Sequence, residues 1–475
     1  MSTTATSDAT FIVAEPGSTG ATHFGLNVEF PVYSIAFTSD SSVVLAGGGG
    51  SSRTGVKNRL SMYEIDSKGK RFRLKTQHEL SKNEDAPMTI AIHRPSKTIA
   101  AGINSDAETL KSGKNENLRM FSYDDQDEST RVASCLITFE QRKQTLESTD
   151  PDHYQKVTCF SRTPNPLTPP LLALGSTSSQ LSLLSLPNLT QVLPQLAPAA
   201  SSTPDKVEGG GGGFYEGEEI FDVDFNDKGD MLVGTSSTKL CVWSTTNPTT
   251  TGRSQDEKAT RGRSEEEGDG EAEFEPLQVI ERPVLKKELA CTFRAAKFGR
   301  QSTKTNLYTV VNSSPSSSGG PRSRGRRAAD QKKNKKSFVS LWDTTEWKLQ
   351  KTRTIGLKPI TSFDVSEDGT LLAYGSSDLS IGILDAQTLR PIVTILKAHD
   401  FPSTCVRFNP AGTTLVSGSA DNSVRVVNVP SVDERGGESK LTVVWLTVLI
   451  VLIAVLVQQG YITKEAWNAA RGVMN

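Results

Sequence analysis

Apolar and polar residues alternate at period two through most of this chain, and the alternation is broken at intervals by turns built on Asp40, Asp227, Asp368 and Asn409-Pro410. That period predicts half-buried strands and excludes a helical repeat. One phrase recurs: a β-run ending in Phe or a similar residue, a polar turn, a second β-run ending in small residues, another turn, and a third β-run. SIAFTSDSSVVLAGG, FDVDFNDKGDMLVGTSSTKLCVW, SFDVSEDGTLLAYGSSDLSIGILD and CVRFNPAGTTLVSGSADNSVRVVNV are the clearest copies, and weaker ones begin near Met88, Tyr154 and Cys291. A further strand separates successive copies, as in KRFRLKTQHEL and RPIVTILKAHD, so that each unit has four strands and seven units are counted. Four-stranded units in tandem are the composition of propeller blades. The last unit has only three strands before the pattern ends, which assigns its fourth to the N-terminal stretch within Thr10 to Val28.

The expected fold class is therefore all-β, a seven-bladed WD-repeat β-propeller over residues 1–430. Its repeats are degenerate. The Trp-Asp dipeptide is intact at Trp342-Asp343, is echoed at Cys241-Val242-Trp243 and Leu384-Asp385, and the GH signature has its nearest counterpart at Ala398-His399-Asp400. Three inserts, near 194–218, 247–275 and 312–336, are too polar, Gly/Ser-rich or charged to bury a core, and are expected to be disordered loops. Beyond a juxtamembrane linker at 431–440, the charge-free run from Leu441 through Trp445 to Val457 predicts a single C-terminal transmembrane helix at 441–460. At ~1.5 Å per residue the run spans roughly 25 Å, which suits a thin bilayer. With no apolar signal segment at the N-terminus, the propeller is expected in the cytosol, with a short lumenal tail at 461–475.

Composition narrows the function classes. The 53 basic residues nearly balance the 54 acidic ones, so net charge gives no argument for nucleic acid as the partner. A basic cluster between Arg322 and Lys336 lacks the interleaved aromatics that single-strand stacking requires, and reads first as a solvated loop. Five cysteines are scattered without metal or redox spacing, which fits a reducing compartment. The five histidines show no nucleophilic or zinc pattern, so covalent catalysis is not expected.

The candidate chemistry lies in LAGGGGSSRTGVKN, between the second and third strands of the first unit. It is not a phosphate-binding P-loop: Val56 intervenes between Gly55 and Lys57, Asn58 stands where a hydroxyl would ligate Mg²⁺, and a strand follows where a helix is required. Gly47, Gly48, Gly49 and Gly50 read either as a bulge and turn or as a tight path whose carbonyls enclose a monovalent cation. Asn58 either ties the turn into the next strand or reaches a partner's polar groups from the lip of the loop.

This glycine quartet followed by T-G-V-K-N, together with NVEFPVYSIAF, the closing unit KAHDFPSTCVRFNPAGTTLVSGSADNSVRVVNVP and the apolar run after it, resembles the Sec-twelve (prolactin regulatory element-binding protein) family. The first, sixth and seventh units carry the resemblance, and the middle units match only as generic propeller repeats. The resemblance implies a guanine-nucleotide exchange factor that promotes GDP release from a Sar-type small GTPase at the endoplasmic-reticulum membrane and so starts COPII coat assembly. It further implies that the loop, called the K loop in that family, holds a potassium ion, that Gly47 to Gly50 and Gly55 shape it, and that Asn58 is essential for exchange. The competing expectation is a membrane-anchored propeller scaffold without exchange activity.

Overall fold

The structure is a computed structural model and describes residues 11–13, 23–51, 55–81, 84–124, 136–162, 169–192, 217–246, 276–283, 289–315 and 336–431, with four positions between 451 and 458. Seven antiparallel sheets follow one another along the chain. Blade 1 opens with Val32–Phe37, Ser42–Gly47, Arg59–Asp66 and Arg71–Glu79, and blade 6 repeats the plan with Ile360–Val365, Leu371–Ser376, Ile381–Asp385 and Pro391–Ile395. Blade 7 takes Ser403–Phe408, Thr414–Ser419 and Ser423–Asn428 from the end of the propeller and His23–Asn27 from its start, in register from His23 opposite Val427 to Asn27 opposite Ser423. The ring is thus closed by the N-terminal strand, where the strand count places it. A short strand absent from the sequence reading, Phe11–Val13, adds a fifth strand outside blade 1 by pairing with Arg71–Arg73.

Each core lies between blades. Phe24, Leu26, Val424 and Val426 of blade 7 pack with Val32, Ile35, Val43 and Leu45 of blade 1, and equivalent clusters join each blade to the next from blade 1 through blade 6. Removing such side chains from water stabilises the ring by about 1.5–3 kcal/mol each. The glycine near the end of the second strand in blades 7 and 3 has a steric cause. A Cβ at Gly418 would lie 2.6 Å from Val32, and one at Gly175 2.6 Å from Ile220, because the next blade crosses there.

Strand direction sorts the connections onto two faces. First strands run away from the face that carries the glycine loop, so the links between second and third strands and the links between blades all lie on that face. The strand over Asn306–Pro315 pairs with Lys336–Asp343 out to Ser313 opposite Lys336, so the third insert is narrower than 312–336. Glu218, assigned to the first insert, accepts hydrogen bonds from the Thr238 amide and hydroxyl and is ordered against blade 4. The remaining insert residues lie outside the described residues, as do Leu441, Trp445, Val457 and the 461–475 tail. Val451, Leu452, Val455 and Gln458 are helical, and no helix among the described residues is long and apolar enough to cross a membrane.

Candidate functional site

The glycine loop leaves blade 1 under tight steric control. A Cβ on Gly47 would lie 1.8 Å from the Pro31 carbonyl oxygen, and one on Gly48, whose φ is +147°, would lie 2.3 Å from Asn58 Oδ1. The Gly48 amide donates to the Pro31 carbonyl at 3.0 Å. Gly49 follows, half-buried. Gly50 and Gly55 then take φ values of +72° and +80°, a region that other residues enter only at a cost. On the return limb Val56 packs against the core shared by blades 7 and 1, and Lys57 pairs with Glu79 at 2.6 Å on the surface. Residues 52–54, between the two limbs, lie outside the described residues.

Asn58 faces into the loop. It is 6 % exposed; its Oδ1 accepts from the Gly50 amide at 2.9 Å, and its Nδ2 donates to the Gly50 carbonyl at 3.0 Å and to the Glu84 carbonyl at 2.8 Å. Both amide protons are engaged inside the protein. Of the two readings of this side chain, the geometry favours the one that ties the turn: Asn58 joins the two limbs, because Gly50 offers a matching donor and acceptor across the loop.

Two neighbours that the sequence reading did not single out complete the root. Asp85 Oδ1 accepts from the Ser51 amide at 3.0 Å and from the Ala86 amide at 2.8 Å. Glu84 accepts from the Ser81 amide and hydroxyl and forms a largely buried ion pair with Arg119 of blade 2. Burial pushes the Glu84 carboxyl up, but the Ser81 bond and Arg119 outweigh it and hold its pKa below the ordinary value. The polar chain continues through the Asp85 amide to the Asn104 carbonyl and from Asn115 Nδ2 to Asn104 Oδ1. The available signal was Asp85-Ala86-Pro87 just before the second unit, with the asparagines at 104, 115 and 117.

The same face surrounds a central mouth of about 450 Å³ lined by Tyr33, Tyr154, Lys156, Phe221 and Arg294. Lys156 pairs with Glu219 and sits 4.3 Å from the Phe221 ring centroid. Burial lowers its pKa, with the Glu219 bond opposing. Leu357, Leu396 and Phe401, all well exposed and Leu396 the most so at 75 %, lie in the links between blades on this face. No group of three His, Cys, Asp or Glu side chains suited to a metal occurs among the described residues.

Comparison with known proteins places this geometry. The model of the WD domain, G-beta repeat, matches residues 390–428, from the last strand of blade 6 through the third strand of blade 7. The guanine nucleotide-exchange factor SEC12 of Candida glabrata is 24 % identical over 94 % of this chain and 82 % of its own length. SEC12 of Rattus norvegicus is 21 % identical over 91 % of this chain and 95 % of its own length. SEC12-like protein 2 of Arabidopsis thaliana is 33 % identical over 95 residues, 20 % of this chain and 24 % of that protein. It is the SEC12 guanine nucleotide-exchange factors that this seven-bladed propeller resembles along nearly its whole length.

Proposed function

We propose that this chain is a guanine-nucleotide exchange factor that promotes GDP release from a small GTPase, with the glycine loop of blade 1 as the element that engages the nucleotide site. The observation that carries the reading is the similarity to SEC12 proteins along the whole propeller. The closed root of the loop supports it, since limbs already tied to one another lose little conformational freedom on binding. The chain acts as a regulator of a GTPase rather than through covalent chemistry. By linkage, a protein that binds the nucleotide-free GTPase more tightly than its GDP complex weakens GDP binding by the same factor. The loop does this by disturbing the switch segments and Mg²⁺ contacts that hold GDP, while Leu357, Leu396 and Phe401 offer apolar contacts on the same face.

Asn58 serves as a positioning residue in this scheme. Its three hydrogen bonds set the distance between the limbs, and Asp85 and Glu84 hold that arrangement against blade 2. The oxygens at the root suit potassium in type: glycine carbonyls and the Asp85 carboxylate are the oxygen ligands a monovalent cation accepts. A bound ion would offset the Asp85 charge and stiffen the loop. The GTPase is of the Sar type, the site of action is the endoplasmic-reticulum membrane at the start of COPII assembly, and 441–460 is the single-pass anchor.

The test is release of labelled GDP from a Sar-type GTPase by the full chain, with Asn58→Ala beside it and potassium replaced by a larger organic cation. Loss of the three bonds is worth about 2 kcal/mol, so exchange by Asn58→Ala falls about 30-fold while the propeller still melts cooperatively. No acceleration by well-folded protein would leave the membrane-anchored scaffold as the better account.

A further inference from the structure

The opposite end of the central channel carries a surplus of positive charge that the exchange reading does not use. A cavity of about 170 Å³ opens there, where the first strands of the blades end. Most of its cations are matched one to one. Arg94 of blade 2 reaches across the opening to Glu367 of blade 6 with bonds of 2.6 and 2.7 Å. Lys297 pairs with Asp222 at 2.6 Å and Arg407 with Asp364 at 3.4 Å. Arg300, 4 % exposed, donates from Nη2 to Asp224 and from Nη1 to the Phe225 carbonyl, yet its buried Nε–H has no acceptor.

Arg162, just past the first strand of blade 3, lines the same cavity and has no hydrogen-bond or ion-pair partner among the described residues. Burial and then the neighbouring Arg300 lower its pKa to about 10, with Asp224 opposing. Two guanidinium groups therefore face one small space, one wholly unpaired and one with an unmet donor. Arg162 is half-buried and stands without a partner among the described residues, while the missing acceptor of the buried Arg300 Nε–H is destabilising, and a ligand with several acceptor oxygens and negative charge answers the charge of both.

We propose that Arg162 and Arg300 form a binding site for a single phosphate-type oxyanion in the channel mouth opposite the glycine loop. The cavity admits a tetrahedral anion and excludes a folded partner. The guanidinium fork suits bidentate recognition of its oxygens. Arg94 and Glu367, already satisfied by one another, form the strap across the entrance. The propeller's last strand also ends at this face, at Asn428. A free anion and a lipid headgroup present the same chemistry to it.

The experiment titrates the full chain with inorganic phosphate, and separately with a deacylated phosphoinositide headgroup, at ionic strength held constant with chloride. Thermal unfolding and calorimetric affinity are read for the natural protein and for Arg162→Gln. Phosphate raises the natural protein's melting point by about 3 °C or more at saturation. Arg162→Gln binds at least about tenfold more weakly, and in phosphate-free buffer it melts no lower than the natural protein, because Arg162 has no partner to lose. Stronger binding of the headgroup than of phosphate assigns the source to lipid, and equal binding assigns it to the free anion. Absence of any shift with either ligand overturns the proposal, as does binding that Arg162→Gln retains or a variant that melts lower without ligand.

Discussion

Blades 1 and 7 sit side by side and make the same link between second and third strands on the same face, in opposite ways. In blade 7 the link is a tight turn over 420–422, closed onto a buried histidine. His399 lies 2.6 Å from Ser423 Oγ and 2.7 Å from Ser417 Oγ, and Asp421 Oδ1 accepts from the Ser423 amide and hydroxyl. In blade 1 the link runs over 48–58, is built on glycine, and its two described limbs are joined at the root by Asn58, with Asp85 holding the Ser51 amide. The first link contributes stability and presents little to a partner. The second forgoes a short closed turn and instead holds two glycine-rich limbs at a fixed separation on that face. The histidine sits under a short turn and the asparagine under a long one, so substitutions should separate folding from exchange.

Four outcomes would break or sharpen that contrast, in falling order of effect. His399→Ala removes two buried hydrogen bonds and leaves a void, and should lower stability by about 3 kcal/mol in denaturant titration while the remaining folded protein exchanges at an unchanged rate. A loss of exchange beyond the loss of folded protein would merge the two roles. Gly48→Ala should do the reverse. Its Cβ collides with Asn58, so GDP release should slow about tenfold or more with a stability loss near 1–2 kcal/mol.

The third outcome is a pH dependence. Burial pushes the His399 imidazole down to about 4, against the pull of Asp421 and with Arg425 adding to the push. Between the ordinary histidine value and about 4 the unfolded chain takes up a proton that the folded chain refuses. Stability is therefore full at neutral pH and falls on acidification through that window, by up to about 1.4 kcal/mol per pH unit. The share of the slope that His399 contributes should disappear in His399→Ala, as stability curves from pH 7 to pH 4 would reveal. The smallest effect belongs to Gly55→Ala, where the added methyl meets nothing within 4 Å and only the +80° φ is strained. About 1 kcal/mol of stability should be lost, and exchange should change less than in Gly48→Ala.

Much of the ring was legible because its information is local. Period-two runs, Asp/Gly turns and the missing fourth strand of the last unit each appear within a few dozen residues, and the His23–Asn27 strand closes the ring as that count requires. Phe11–Val13 escaped because three residues give no period and its pairing depends on an edge formed much later in the chain. At the site, Asn58 was identified but its direction was not. The acceptor that turns it inward, the Glu84 carbonyl, comes from the link to another blade. The channel cations were invisible for the same reason: Arg94, Arg162 and Arg300 meet because each ends the first strand of a different blade, a coincidence of geometry that no spacing encodes.

The strand that completes blade 7 also imposes an order of events during synthesis. His23–Asn27 leaves the ribosome long before its hydrogen-bonding partner, Ser423–Asn428, which is the last strand of the propeller to do so. For the whole interval between them Phe24 and Leu26 have no blade to enter, and the nascent chain carries an open, apolar strand edge of the kind that recruits chaperones or mispairs with a neighbouring chain. A premature stop anywhere before Asn428 therefore costs far more than one strand. It leaves a ring with two raw ends, and the cell should clear such a product instead of accumulating a shortened propeller.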